Sequence, residues 1–172
     1  MSWSLGALVL MTPYNTCRNL KKVHGRKIEM LNEFRVSVTV PASVDEVWAK
    51  LVDWKSQGEW MALTKVCSSA DYKGDSGVGT VIEAFTGIGK FGILDQMKVI
   101  TWQPPTFCAV DHYGKYIKGL GEFRLIALSP NKTRFDWYEK IDAPSWLLAL
   151  IKPGILITVR YSLWKFARTV RA

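Results

Sequence analysis

DAPSWLLALIKPGILITVRYSLWKFARTVR, residues 142–171, is the stretch on which the reading of the whole chain turns. Trp146, Leu150, Ile157, Tyr161 and Trp164 recur at spacings of three, four or seven, the repeat of one side of a helix. Asp142 is placed to cap the start, and Pro144 falls in the first turn, where a missing N–H and a fixed φ cost little. Pro153 removes one backbone hydrogen bond and bends the helix, while Gly154 lets another backbone come close. Lys152, Arg160, Lys165, Arg168 and Arg171 carry charge, and no Asp or Glu follows Asp142, so the last turn has the sign that suits a helix C-terminus. The pattern predicts one long amphipathic helix, interrupted once at Pro153-Gly154, with its aromatic side on a core and its basic back in water.

Immediately upstream the period changes. Residues 63–69, 78–85, 91–102, 107–113, 117–128 and 133–141 are each rich in β-branched or aromatic residues and are separated by turn-forming sequences. Short connections make these neighbours antiparallel. A two-residue turn at Gly114-Lys115 sets Tyr113 opposite Tyr116 and Asp111 opposite Lys118. A turn at Pro130-Asn131 puts Glu122, Arg124, Trp137 and Glu139 on one face of a hairpin, and a one-residue slip would move that set to the other face.

The region begins at Phe34, Val36, Val38 and Val40, which alternate with polar residues as a half-buried strand does. Pro41 ends it, and Ser43-Val44-Asp45-Glu46 is a capping box for a short helix in which Val44, Val47, Trp48, Leu51 and Val52 recur at helical spacing. Trp54 and Trp60 flank a second helical turn and close one end of the core. The order is strand, short helical pair, six strands, long helix. A twisted sheet of this length has one face to cover, and only the last helix is long enough to cover it. The predicted class is α+β: a seven-stranded antiparallel sheet wrapped around a long kinked C-terminal helix, with a short helical pair after strand 1.

The 172 residues suffice for one domain with a sizeable core, placed at 32–172 behind a loosely ordered basic extension, 1–31. That extension holds an apolar run, Leu5 to Met11, too short to span a bilayer and without the flanks of a signal peptide. Met11 or Met30 is an alternative start to Met1. Five basic residues against Glu29 give the first twenty-nine residues half of the net charge of +8. With the charge in a tail and no nucleic-acid-binding pattern, no nucleic-acid partner is expected. Weak contact of the basic tail and basic last helix with an anionic membrane surface is the better use of that charge. Cys17, Cys67 and Cys108 form neither a disulfide framework nor a zinc pattern, and a reducing cytoplasm suits them.

Several motifs in this order resemble the START-like or helix-grip superfamily, in particular its polyketide cyclase/dehydrase and lipid-transport (SRPBCC) branch. They are Val36-Ser37-Val38-Thr39-Val40-Pro41-Ala42-Ser43 leading to Val47-Trp48, then Asp53-Trp54 with Trp60, and Gly77-Val78-Gly79-Thr80. Trp102-Gln103-Pro104-Pro105, Gly119-Leu120-Gly121, Thr133-Arg134-Phe135-Asp136-Trp137 and Pro153-Gly154 complete the set, which runs from Phe34 to Val170. The resemblance implies a ligand cavity between sheet and last helix and no particular chemistry, because the superfamily holds both carriers and cyclases.

The residues expected at that cavity are Trp60, Phe85, Met97, Phe135, Trp137, Glu139, Trp146, Leu150, Ile157 and Tyr161. Arg124 is a candidate to hold a carboxylate or polarise a ligand oxygen, with a surface salt bridge as the plainer reading. His112 reads first as structural and second as a proton carrier. Tyr138, like Tyr113 and Tyr116, offers a hydroxyl to a cavity mouth or serves as a rim aromatic. No catalytic triad, metal or nucleotide motif is present, and neither cofactor nor metal is expected. The first functional reading is a module that binds a hydrophobic small molecule, lipid or polyketide-like. The alternative is a polyketide cyclase or dehydratase using the same cavity.

Overall fold

The computed structural model describes residues 32–73, 76–142 and 144–170; the extension 1–31 lies outside them. Strand β1 (Glu33–Val40) turns Phe34, Val36 and Val40 into the core. Helix α1 (Val44–Val52) follows with the capping box formed: Glu46 N–H donates to Ser43 Oγ, and Ser43 N–H donates to Glu46 Oε2 at 2.8 Å. A 3-10 turn (Trp54–Ser56) and helix α2 (Gln57–Trp60) come next, with both indoles buried. The buried Gln57 amide donates to Leu51 O at 2.7 Å and ties α2 to the end of α1.

Then come β2 (Thr64–Ser68), α3 (Ala70–Lys73), β3 (Val81–Ile88), β4 (Phe91–Gln103), β5 (Phe107–Tyr113), β6 (Lys118–Ser129), β7 (Lys132–Ile141) and α4 (Ser145–Thr169). All seven strands form one antiparallel sheet in the order β1-β7-β6-β5-β4-β3-β2. The inner face is filled from α4 and α2, where Phe166 packs edge-on against Trp60 and Phe135 at ring distances of 4.8 and 5.4 Å.

Two registers differ from the sequence expectation. The β5–β6 connection spans four residues, so Tyr113 pairs with Lys118, and Asp111 lies between Lys98 and Leu120 rather than opposite Lys118. Gly119, next in β6, sits so close to β7 on its other side that a Cβ there would lie 1.9 Å from Lys140 O. At the β6–β7 hairpin the turn is indeed Pro130-Asn131, with Ser129 opposite Lys132. One extra residue in β6 then shifts the ladder, so that Ala127 pairs with Thr133 and Phe123 with Trp137. The bulge splits the predicted quartet. Trp137 and Glu139 face inward, while Glu122 and Arg124 face outward opposite Tyr138 and Asp136.

The terminal helix also departs from expectation. Asp142 is not its cap, because Asp142 N–H still donates to Lys118 O in the sheet; the helix starts after Pro144 without a side-chain cap. It runs unbroken through Pro153-Gly154, both exposed, and a Cβ on Gly154 would meet nothing within 4 Å, so no backbone approaches there. Its buried face is Leu148, Leu163 and Phe166, with Ile155, Leu156, Val159 and Val170 packed alongside. Trp146, Leu150, Ile157, Tyr161 and Trp164, expected inside, are exposed. Both sides of this helix are apolar at helical spacing, so periodicity alone does not separate them. Leu150→Gln is therefore expected to change unfolding stability by less than about 0.5 kcal/mol, and Leu163→Ala to cost about 2–5 kcal/mol, both read from urea denaturation.

Candidate functional site

The pairings β3–β4, β4–β5, β5–β6 and β6–β7 bring Ala84, Asp95, His112, Gly121 and Glu139 to the inner face in adjoining rows. There Ala84, Asp95, His112 and Glu139 bound an interior cavity of about 70 Å³, closed from the other side by Trp54, Gln57 and Trp60. Gly121 makes the arrangement possible: a Cβ at that position would lie 3.0 Å from both Glu139 Oε1 and His112 Nε2.

His112 is 6% exposed and sits between two carboxylates. Its Nδ1 lies 2.9 and 3.0 Å from the two oxygens of Asp95, and its Nε2 lies 3.1 Å from Glu139 Oε2. Burial disfavours the imidazolium, but hydrogen bonding and the charges of Asp95 and Glu139 outweigh it and push the pKa up to about 10. His112 is thus a cation at neutral pH and a donor at both nitrogens. Trp137 Nε1–H donates to Glu139 Oε1 at 2.6 Å and fixes that carboxylate.

The Nε2···Oε2 approach is close enough for an ion pair but out of line for a hydrogen bond, and neither atom has another partner within the protein. Trp60 Nε1, on the opposite wall of the cavity, also has none. Two donors and one acceptor, all on residues less than a tenth exposed, therefore border one small space. His112 lies between the two carboxylates, and among the described residues no cluster is set to hold a metal ion.

The inner face continues past the cavity without cover. Thr86 borders the cavity and pairs with Ile93; the next inward pair, Ile88 and Phe91, is exposed, Phe91 at 89%. An exposed apolar strip thus continues from the edge of the cavity to the tip of the β3–β4 hairpin.

Of the residues expected at the cavity, Trp60, Met97, Trp137 and Glu139 line it, and His112 joins them. Phe135 is wholly buried in the aromatic core beside it. Phe85 and Tyr161 border a separate open groove of about 580 Å³ next to β2. Trp146, Leu150 and Ile157 lie on the outer side of α4. Arg124 is on the outer face of the sheet, 4.5 Å over the Phe107 ring. Tyr138 is on the outer face as well, where it donates to Glu33. Asp95 escaped the sequence reading, although it shares the inward parity of Met97 and Val99 in β4, and a carboxylate there is the signal that marks it.

No family model and no curated protein matches the sequence. Solved structures do match. The Zhui aromatase/cyclase from Streptomyces sp. R1128 superposes with a TM-score of 0.67 at 15% identity, covering 81% of this chain and 93% of its own. A START superfamily protein from Mycobacterium smegmatis gives 0.65 at 12%, covering 80% and 98%, and a polyketide-cyclase-like protein from Corynebacterium glutamicum gives 0.57 at 12%, covering 81% and 91%. Identities this low speak for architecture alone, and the chain has the START-like helix-grip fold.

Proposed function

We propose that the protein binds a small hydrophobic molecule with an oxygen-bearing end, the oxygen held by Trp60, His112 and Glu139 and the body lying along the exposed apolar strip toward Ile88 and Phe91. The observation that carries this reading is the set of three buried polar atoms that lack a hydrogen-bond partner within the protein, on residues that line one cavity. A hydroxyl accepts from Trp60 and His112 and donates to Glu139; a carbonyl uses the two donors. The cavity of about 70 Å³ takes only the polar end, since pockets that enclose a whole ligand run to roughly 300–1,000 Å³. A lipid or a polyketide-like chain has the required shape, and the free thiols of Cys67 and Cys108 suit a reducing cytoplasm.

A second reading, a cyclase or dehydratase, has one observation in its favour. His112 Nε2–H and Glu139 Oε2 stand side by side, a donor to polarise a carbonyl and an acceptor for a proton. With its pKa raised to about 10, His112 serves as the donor and Glu139 as the base.

Calorimetric titration with 2-naphthol and naphthalene tests the binding reading. Naphthol is expected to bind about tenfold more tightly, the worth of one net hydrogen bond, and Glu139→Gln is expected to erase most of that preference. Equal affinities in the native protein sink the assignment of the polar end, and no binding of either probe sinks the cavity as a ligand site.

A further inference from the structure

The outer side of α4 is used neither by the core nor by the cavity. Trp146 at 71% and Leu150 at 73% exposure begin an apolar stripe that continues through Ile157, Tyr161 and Trp164. From Trp146 to Trp164 it extends along about 27 Å of helix. Arg160 and Arg168 are exposed on the same side, and the Arg168 guanidinium lies 4.7 Å over the Trp164 ring. Tyr161 stacks on Trp164 at 5.8 Å, and Lys165 flanks the stripe beside the open groove. The sequence holds no carboxylate side chain after Asp142.

These features select among possible occupants. A second copy of the chain would set Arg160, Lys165 and Arg168 against their own counterparts, with no acidic residue on the face to balance them. A nucleic acid would meet the arginines and leave Leu150 and Ile157 against a charged backbone. An anionic bilayer surface matches both properties, since apolar side chains enter the acyl boundary, aromatic rings sit at headgroup level and arginines meet lipid phosphates. No helix among the described residues is long and apolar enough to cross the membrane, so such contact lies in the interface plane.

We infer that the protein docks on anionic lipid surfaces through the outer side of α4, with Trp146, Leu150, Ile157 and Trp164 entering the interface and Arg160, Lys165 and Arg168 holding lipid phosphates. This contact is independent of what the interior cavity binds. It also places the groove beside Tyr161 and Lys165 at the edge of the contact.

Co-sedimentation of the full chain with phosphatidylcholine vesicles, with and without phosphatidylserine, tests it. Binding is expected to be on the order of tenfold tighter with phosphatidylserine and to be lost at high salt. Leu150→Glu with Ile157→Glu is expected to weaken binding at least tenfold while circular dichroism and melting temperature stay unchanged, because both side chains are exposed. Arg160→Gln with Arg168→Gln is expected to remove the preference for phosphatidylserine. Failure of the native chain to bind overturns the inference. So does undiminished binding by the double glutamate variant, which would assign the contact to the basic residues between Arg18 and Lys27. A native dimer that ignores vesicles and is split by the glutamates would name a second copy as the occupant and overturn it equally.

Discussion

His112→Leu is expected to lower the unfolding free energy by about 3–5 kcal/mol, because it leaves Asp95 and Glu139 facing each other across a buried site without the cation that separates them. The same histidine ties stability to pH. It titrates near 6.5 in an unfolded chain and near 10 in the fold, so the folded state holds the proton more tightly. The stabilisation is complete below about pH 6.5, falls by about 1.4 kcal/mol per pH unit above it, and is gone above about pH 10. Burial raises the Cys108 thiol from 9.0 to about 12, which adds a decline of the same sign only above pH 9. The window from 6.5 to 9 therefore belongs to His112. Urea denaturation across it is expected to show a falling curve for the native chain and a shallower one for His112→Leu. Parallel curves would mean that His112 does not hold its proton in the fold.

How far the sequence reveals this arrangement depends on the range of the interaction concerned. The capping box at Ser43 and Glu46 and the alternation from Phe34 to Val40 are local, and both were readable. The order of elements follows from their lengths and turns, and that order is enough to specify the helix-grip fold. The face of α4 was not readable, because its two apolar sides have the same period and differ only in what meets them. Arg160 and Arg168 beside the aromatic side were the available clue, since charges settle where water or lipid phosphates can reach them.

The site required long-range information. His112 meets Asp95 seventeen residues away through the β4–β5 register, and no local pattern announces that pairing. Glu139 reaches His112 because one extra residue in β6 near Leu128 changes which residues of β6 and β7 share a face. Without that bulge, Glu122 and Arg124 would share the inner face with Trp137 and Glu139. The glycines at 119 and 121 make sense only with the fold in view, since the space they leave is taken by the β7 backbone and by the Glu139–His112 pair.

The size of the cavity leads to the second large effect. Trp60 is fully buried, packs edge-on against Trp137 at 6.3 Å and Phe166 at 4.8 Å, and walls the interior space. Trp60→Ala is expected to cost about 3–5 kcal/mol. The volume of the lost indole joins the cavity, so affinity for naphthalene is expected to rise even as stability falls, and saturating naphthalene should raise the melting temperature of the variant more than that of the native chain. Naphthol should gain less, because the Nε1 donor is gone with the ring. Trp60→Phe separates the two roles by keeping most of the packing while removing the donor; it is expected to lower the naphthol preference at a much smaller cost in stability. If Trp60→Ala loses stability without gaining affinity for naphthalene, the surrounding aromatic rings have collapsed into the space. The exposed strip from Thr86 to Phe91 would then have to hold a ligand on its own.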